Sequence, residues 1–459
     1  MPITRAFLGR ATVVLFSVFA LDVVSQAWAQ SLPRVEGPLT MDQAVELARE
    51  KSLRVKASDA DSRAMESMRK EALAPFWPQA SANGYYADQT QSPNVYSSAG
   101  STMARNYQVF NANQNRDGNM TLMYSLFSGG RDYYGYKAAA ARADAARHML
   151  KGTELDVAMQ ARLDYIAALR ESENARVTGD LLRDVEERLR VTREMFEAGR
   201  VPRYYQLRDE AELANVVQMD AMAKSRVEQA LVSLKTTLGV DLASPITLAD
   251  ALQFAPVTLS IEEGIRQASD THPDLKAAVK QREAAAAEVR AAYGNYFPQV
   301  SVGYMYDWAW MKNNTWVSQA EGLRSTGNNS EGYSVGVVVT LPIFDGFARE
   351  NALNTAKAKL DKSVQSEGLV RQQIAKEVNQ AALMLAAAEK SVEASRKGVE
   401  QSGEEFRIIK ERFGAGRGIQ LEILDAQVSL TRARFNSVAA LADYNSALAM
   451  WLKATGRVR

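Results

Sequence analysis

The chain has 459 residues, with 55 basic and 54 acidic side chains, so its formal net charge at pH 7 is +1. This balance gives no electrostatic signal for a nucleic-acid partner, and the lack of cysteine excludes a disulfide framework and thiolate chemistry. The only histidines, His148 and His272, are interpreted as ordinary surface or interface residues. Two isolated imidazoles do not make a metal site, and no metal or other cofactor is predicted.

The segment 1–29 has the composition of a signal peptide. Arg5 and Arg10 precede an apolar stretch at 11–20, which is shorter than the ~20 residues that a membrane-spanning helix needs. Ala27-Trp28-Ala29 resembles a signal-peptidase site, so we expect cleavage after Ala29; the alternative is an uncleaved anchor. No cysteine follows for lipid attachment, and no later stretch reaches about 18 apolar residues. Any membrane-embedded part is therefore predicted to be β-strand.

A first structural repeat is predicted over 30–240. After short helices it contains strands at about 79–90 and 118–127, a long helix at 131–199 and a helix at 203–238. The long helix is predicted because apolar side chains recur at three- and four-residue steps. At 1.5 Å per residue it would be about 100 Å long, which is typical of a coiled coil or a helical tube. The charge run Arg183–Arg188 is interpreted as a solvated face of that helix.

A linker at 241–258 leads into a second repeat over 259–459. It contains strands at about 299–311 and 332–341, a long helix at 347–413 and a helix at 419–454. The duplication is clearest where Phe413-Gly-Ala-Gly-Arg repeats the pattern of Phe196-Glu-Ala-Gly-Arg. Because solenoid repeats have only ~20–50 residues, this is a duplicated half of the molecule.

Aromatic and aliphatic residues alternate with small or polar residues in the second-half strands, which is typical of outer-membrane barrels. The predicted lipid-facing aromatics are Tyr304, Tyr306, Trp308, Trp310 and Tyr333. The alternative is a soluble sandwich with one buried face. Four strands cannot close a barrel, since the smallest have about eight, and open edges are not tolerated in lipid. The chain is therefore expected to oligomerise, although these arguments alone permit a dimer or a larger ring.

This order of elements, occurring twice, resembles the TolC-type outer-membrane efflux and secretion channels, the outer membrane factor family. The resemblance covers essentially the whole mature chain, and its most specific parts are the segments Phe196–Val201 and Phe413–Ala426. It implies a mainly α fold with membrane β-strands: a homotrimer with a 12-stranded β-barrel continued by a 12-helix periplasmic α-barrel tunnel. The expected location is the bacterial outer membrane, in contact with its lipid and extending into the periplasm.

The resemblance also implies a function. The protein would be the passive conduit of a tripartite export system, for type I secretion or multidrug efflux. Its partners would be a periplasmic adaptor (membrane fusion protein) and an inner-membrane pump of ABC, RND or MFS type. The alternative is a periplasmic coiled-coil adaptor or scaffold without a pore, although adaptors lack duplicated hairpins with aromatic strands. An enzyme is not predicted, because phosphate-loop and nucleophile-elbow motifs are absent from the sequence.

Two sets of site residues follow from the resemblance. Adaptor docking is expected at the tips of the helical hairpins, at Gly199, Arg200, Val201, Pro202, Gly416, Arg417 and Gly418. Acidic residues after the second tip would narrow the periplasmic mouth, which places Glu422 and Asp425 at the pore constriction. They are three residues apart and share a helix face, so the alternative is a merely solvated face.

The family's gate latch uses a tyrosine hydroxyl and an arginine, where this chain has Phe413 and Gly418. Tyr205 stands where the family has the partner acid. The substitute latch that the sequence offers is a pairing of Arg203 or Arg208 with one of the two constriction carboxylates.

Overall fold

The computed structural model describes residues 33–35, 37–91, 109–257, 259–317, 324–415 and 417–457. They form two compact units. The first unit is drawn from Met1–Ala60, Met149–Asp274 and Arg371–Arg459, and the second from Asp61–His148 and Leu275–Val370. Each half of the chain contributes to both units, so the compact units do not coincide with the two predicted repeats. The predicted signal peptide lies outside the described residues.

Both halves have the same order of elements: a short strand, two helices, two long strands in the sheet, a long helix and a shorter helix. In the first half these are β1 (Gly37–Leu39), α1 (Met41–Lys51), α2 (Leu53–Glu71), β2 (Gln79–Gln91), β3 (Val109–Phe127), α3 (Arg131–Glu197) and α4 (Arg203–Leu238). In the second half they are β4 (Ile246–Leu248), α5 (Ile261–Thr271), α6 (Pro273–Gly294), β5 (Gln299–Val317), β6 (Arg324–Thr340), α7 (Ala348–Gly414) and α8 (Gln420–Ala454).

The helices lie close to their predicted positions. The long helices α3 and α7 have 67 residues each, and α4 and α8 have 36 and 35. One stripe of α3 is buried, as its three- and four-residue spacing predicts, including Leu155, Val185 and Leu189. Within the described ranges, every helix is too short or too polar to cross a membrane.

Three strands extend beyond their predicted bounds. β3 begins at Val109, where the sequence predicted a start near residue 118, while β5 continues to Val317 and β6 begins at Arg324. The extensions are polar and do not alternate, so hydrophobic periodicity could not indicate them. They pair through the backbone instead, with Asn113 opposite Asn313 in the ladder between β3 and β5.

A hydrophobic core in the first unit joins α1, α3 and α4. Tyr165 of α3 and Leu234 and Leu238 of α4 are fully buried in it. The Tyr165 hydroxyl donates a hydrogen bond of 2.7 Å to the carbonyl of Leu39, which satisfies the one polar atom that this ring carries into the core. Thr40 caps α1 through a capping box with Gln43. The core therefore fixes the middle of α3 against the end of α4 in this unit.

The second unit contains a four-stranded antiparallel sheet in the order β2-β3-β5-β6. The register places Leu122, Tyr304 and Val335 in one row across three strands. Because paired residues point to the same side of a sheet, the apolar positions of neighbouring strands form one continuous face. Strands β2 and β6 are the two edges, and each has a neighbour on one side only among the described residues.

Candidate channel mouth

The first hairpin tip reverses the chain between α3 and α4. Gly199 has φ +67, in the left-handed region that glycine adopts without steric cost. The Arg200 amide donates to the Met195 carbonyl at 2.8 Å, and Pro202 starts α4 with extended backbone angles. The side chains of Arg200 and Pro202 are exposed, and Val201 is half-buried. The predicted docking residues of this tip are therefore accessible in the single chain.

The second tip reverses the chain between α7 and α8. The Arg417 amide donates to the Arg412 carbonyl at 2.9 Å, and the Arg417 side chain is exposed. Gly418 packs so tightly that an added Cβ would lie 3.2 Å from the Phe413 backbone nitrogen. A larger residue would need the Phe413 backbone to shift by a few tenths of an ångström, so close packing favours glycine there. Gly416 lies outside the described residues.

The two predicted constriction residues on α8 differ in exposure. Asp425 is exposed and Glu422 is half-buried, whereas the intervening Ile423 is buried. One carboxylate oxygen of Glu422, Oε2, is buried and has no hydrogen-bond partner among the described residues. Asp425 lines a groove of about 470 Å³ together with Arg208. Their role in a pore stays a prediction.

The substitute latch is not formed within the single chain. Arg203 and Arg208 are both exposed, and within the described residues neither forms an ion pair with Glu422 or Asp425. Phe413 is buried and lines a small cavity of about 150 Å³. The latch made by these groups therefore stays a prediction.

A buried ionic group lies close to the first tip. Arg188 of α3 and Asp209 of α4 pair at 3.0 Å, and Thr192 donates its hydroxyl to the other Asp209 oxygen at 2.7 Å. All three side chains are buried. A buried carboxylate with an arginine and a hydroxyl donor has its charge and its lone pairs compensated, which is the condition for keeping it away from water.

The same group joins the first hairpin to α8 of the second. Arg188 also donates to the side-chain oxygen of Gln427, and Gln420 donates to the backbone carbonyl of Tyr205 at 2.9 Å. Both glutamines are buried. The predicted latch residue Tyr205 therefore takes part in a cross-hairpin contact, but through its backbone, which no side-chain argument could have indicated.

The interpretation of the charge run Arg183–Arg188 as a solvated face was partly wrong. Arg183, Glu186 and Glu187 are exposed, but Arg188 is buried. The spacing contained the signal: Arg188 falls on the stripe that contains Val185 and Leu189, and Asp209 is seven residues before the buried Val216. A charged residue on each of two adjacent apolar stripes indicates a buried pair.

The interpretation of His272 as a surface or interface residue was also wrong, because its side chain is only 2% exposed. It caps the C-terminus of α5 beside Asp274, whose carboxylate oxygen Oδ2 is 3.8 Å from Nδ1. Burial lowers the pKa of this imidazole below its usual value. Its Nε2 has no partner among the described residues.

The predicted lipid-facing aromatics share the apolar face of the sheet in the second unit. Tyr304, Trp308 and Tyr333 are exposed, while Tyr306 and Trp310 are half-buried against their neighbours. Tyr304 stacks on Tyr333 with ring centroids 6.5 Å apart. Large exposed apolar faces are unusual in a soluble monomer, so this face requires a membrane or another chain.

The described residues thus combine two helical hairpins with exposed tips and an aromatic-faced sheet with two open edges, the fold also found in solved outer-membrane channels. Residues 264–457 match the family model described as "Outer membrane efflux protein". The chain is similar to the Protein CyaE of Bordetella pertussis, with 28% identity over 55% of this chain and 52% of CyaE. It is also similar to the Outer membrane efflux protein BepC of Brucella suis, with 24% identity over 73% of this chain and 71% of BepC.

The fold has a solved counterpart in the CmeC outer membrane channel of Campylobacter jejuni. The TM-score is 0.74 at 16% identity, over 91% of this chain and 85% of CmeC. The fold class predicted from the sequence, the relationship to TolC-type outer-membrane efflux channels and the outer-membrane location are thereby confirmed. The matched family is described as one of efflux proteins rather than of enzymes. The match covers 52% of CyaE, so the chain spans about half the length of this relative.

Proposed function

We propose that three copies of the chain assemble into an outer-membrane export channel, with the sheets closing a barrel and the helical hairpins forming a periplasmic tunnel. The observation that carries the proposal is the pair of open edges, β2 and β6, on a four-stranded sheet. An open edge in lipid leaves unpaired amide and carbonyl groups, each costing several kcal/mol, so β6 of one copy must pair with β2 of the next.

The helical part supports assembly as well. Large apolar side chains remain exposed along α4 and α8, among them Leu207, Met222 and Val428, each about half exposed. Such a series along paired helices is expected where neighbouring copies pack side by side. We infer a homotrimer because four strands from each of three chains give the 12-stranded barrel that the resemblance implies.

The channel would be a passive conduit. We propose that an inner-membrane pump of ABC, RND or MFS type drives export, and that a periplasmic adaptor docks at the two hairpin tips. The exposed Arg200 and Arg417 offer charge-assisted hydrogen-bond donors there. In this proposal the pump, rather than the conduit, selects the exported substrate.

The proposal can be tested at the strand edges, because the chain has no cysteine of its own. Ala82→Cys in β2 would be combined in turn with Val335→Cys, Val337→Cys or Val339→Cys in β6, since the register between copies is not fixed by one chain. Oxidation should crosslink one of these pairs into a covalent trimer on a denaturing gel. Each single-cysteine variant is the control and should stay monomeric after denaturation.

Conductance separates this function from the alternative of a pore-free adaptor or scaffold. The purified trimer should form ion-conducting channels in a planar bilayer, and the chain should restore export to cells that lack their own tunnel protein. A trimer that crosslinks but neither conducts nor restores export would favour the scaffold. No crosslink in any register, from protein that is present in the outer membrane, would contradict closure through β2 and β6.

A further inference from the structure

One arginine lies at an end of the apolar face of the sheet. Arg116 of β3 lies in one row with Tyr86 of β2 and Trp310 of β5. Its guanidinium carbon is 5.7 Å from the Tyr86 ring centroid and 4.9 Å from that of Trp310. The side chain is exposed, although two aromatic rings hold it in place. The arginine is therefore presented on the face that carries the predicted lipid-facing aromatics.

The position of this row along the strands fixes its depth. On β5 the apolar face extends over the eleven residues from Val300 to Trp310, and ten steps of 3.3 Å give about 33 Å along the strand. With a strand tilt of roughly 40° this covers about 25 Å of membrane thickness, the height of the apolar band in outer-membrane barrels. Arg116 thus lies at the border of the band, at the end opposite to the strand ends that lead into α3 and α7.

The guanidinium contacts aromatic rings rather than a carboxylate among the described residues. Within the part of the chain that the structure describes, Arg116 forms no ion pair and packs against the two rings. Glu331, which lies opposite Trp308 in the next row, accepts a hydrogen bond from the Tyr306 hydroxyl instead. An unpaired charge at a lipid boundary is costly unless an anion meets it there, and the anions at that depth are the phosphates of lipid headgroups.

We propose that Arg116, with Tyr86 and Trp310, is a binding site for the phosphate group of an outer-leaflet lipid. The aromatic rings hold the planar guanidinium, so little rotational freedom is lost when its parallel N–H groups bind two phosphate oxygens. The same rings contact the upper part of the acyl chains, as expected of an aromatic belt. The inference rests on the proposed membrane-spanning role of the sheet.

The test titrates the detergent-solubilised trimer with diphosphoryl lipid A and counts bound lipids by native mass spectrometry. Arg116→Gln should weaken binding about tenfold or more, because hydrogen bonds between charged groups are stronger than those of a neutral amide. Trp310→Leu should weaken it a few-fold through loss of the cation–π contact. Arg226→Gln, which removes an exposed charge on α4, is the matched control and should bind like the wild type.

A phosphate-free form of the same lipid separates headgroup recognition from acyl-chain contact, and it should bind wild type and Arg116→Gln equally. Arg116→Lys keeps the charge but loses the planar pair of N–H groups, so its affinity should lie between those of the wild type and Arg116→Gln. Trp310→Leu takes the place of the glutamine variant if that one does not assemble. Equal affinity of the wild type and Arg116→Gln for diphosphoryl lipid A would overturn the site while leaving the channel proposal intact. Failure of the wild type to form trimers would overturn the channel proposal itself.

Discussion

Arg188 and Asp209 form an ion pair at 3.0 Å with side chains that are only 5% and 0% exposed. The pair connects the two helices of the first hairpin, and the hydrogen bond from Arg188 to Gln427 extends the connection to α8. Removing one partner of a buried pair leaves an uncompensated charge, and this costs far more than the intact pair contributes.

Asp209→Ala should therefore destabilise the protein by about 3–5 kcal/mol. The measurement is urea unfolding of the purified protein, followed by circular dichroism at 222 nm. Glu173→Ala is the control, because Glu173 pairs with Arg176 on the surface and its loss should cost only about 0–1 kcal/mol. Similar shifts in the two variants would show that the tip network contributes no more than a surface ion pair.

Because of His272, the free energy of unfolding should also decrease as the pH falls below about 6.5, which is the ordinary pKa of histidine. Burial lowers the pKa of this imidazole in the folded state, so the unfolded chain binds the proton first. The charges that face His272 are Asp274, Glu377, Asp156 and Lys453, and the three carboxylates only partly offset burial. The loss is therefore expected between the ordinary pKa and the lowered one.

His272→Ser is the matched variant for this pH dependence. Ser52 occupies the corresponding C-cap after α1 in the first half, and it too is buried. Between pH 7 and pH 5, the melting temperature of this variant should fall less than that of the wild type. Thermal unfolding at several pH values measures the difference. An unchanged slope would assign the pH dependence to other groups.

The turns from strand to long helix offer a second comparison between the halves. Gly129 and Gly346 both have positive φ, +65 and +66, so alanine at either should cost about 1–2 kcal/mol for the left-handed conformation. At Gly129 an added Cβ would also lie 2.3 Å from the Gly294 carbonyl oxygen, whereas Gly346 has open space. Gly129→Ala should lower the yield of folded trimer, measured by gel migration without heating, well below that of Gly346→Ala. Equal yields would contradict the predicted clash.

Most of the fold could be predicted from the sequence. The long helices have apolar side chains at three- and four-residue steps, and the sequence of the first tip recurs at the second. The start of α4 at Arg203 and its end at Leu238 agree with the prediction. The buried group at the tip could not be predicted as a group, since Arg188 and Gln427 are distant in sequence and meet only through packing. The polar extensions of β3 and β5 could not be predicted either, because strands that pair only through the backbone show no alternation in side-chain hydropathy.

The adaptor-docking prediction concerns Arg200 and Arg417. Reversing both charges, by Arg200→Glu and Arg417→Glu, should abolish export while trimers remain, because both side chains are exposed and have no ion-pair partner among the described residues. Export is measured in cells that carry the cognate adaptor and pump, and trimers are measured on gels. Arg176→Glu, on the exposed face of α3, controls for charge reversal as such. Undiminished export would remove the arginines from the docking surface.

The constriction prediction concerns Glu422 and Asp425. Three copies would place six carboxylates near one axis, and a ring of carboxylates favours cations. Neutralising both, by Glu422→Gln and Asp425→Asn, should reduce cation selectivity and block by multivalent cations, measured in a planar bilayer under a salt gradient. Asp443→Asn removes an exposed carboxylate further along the same helix and should change selectivity much less. Because Glu422 is half-buried while Asp425 is exposed, the single Asp425→Asn variant should account for most of the change. If the double variant keeps the selectivity of the wild type, these carboxylates face the outside of the tunnel.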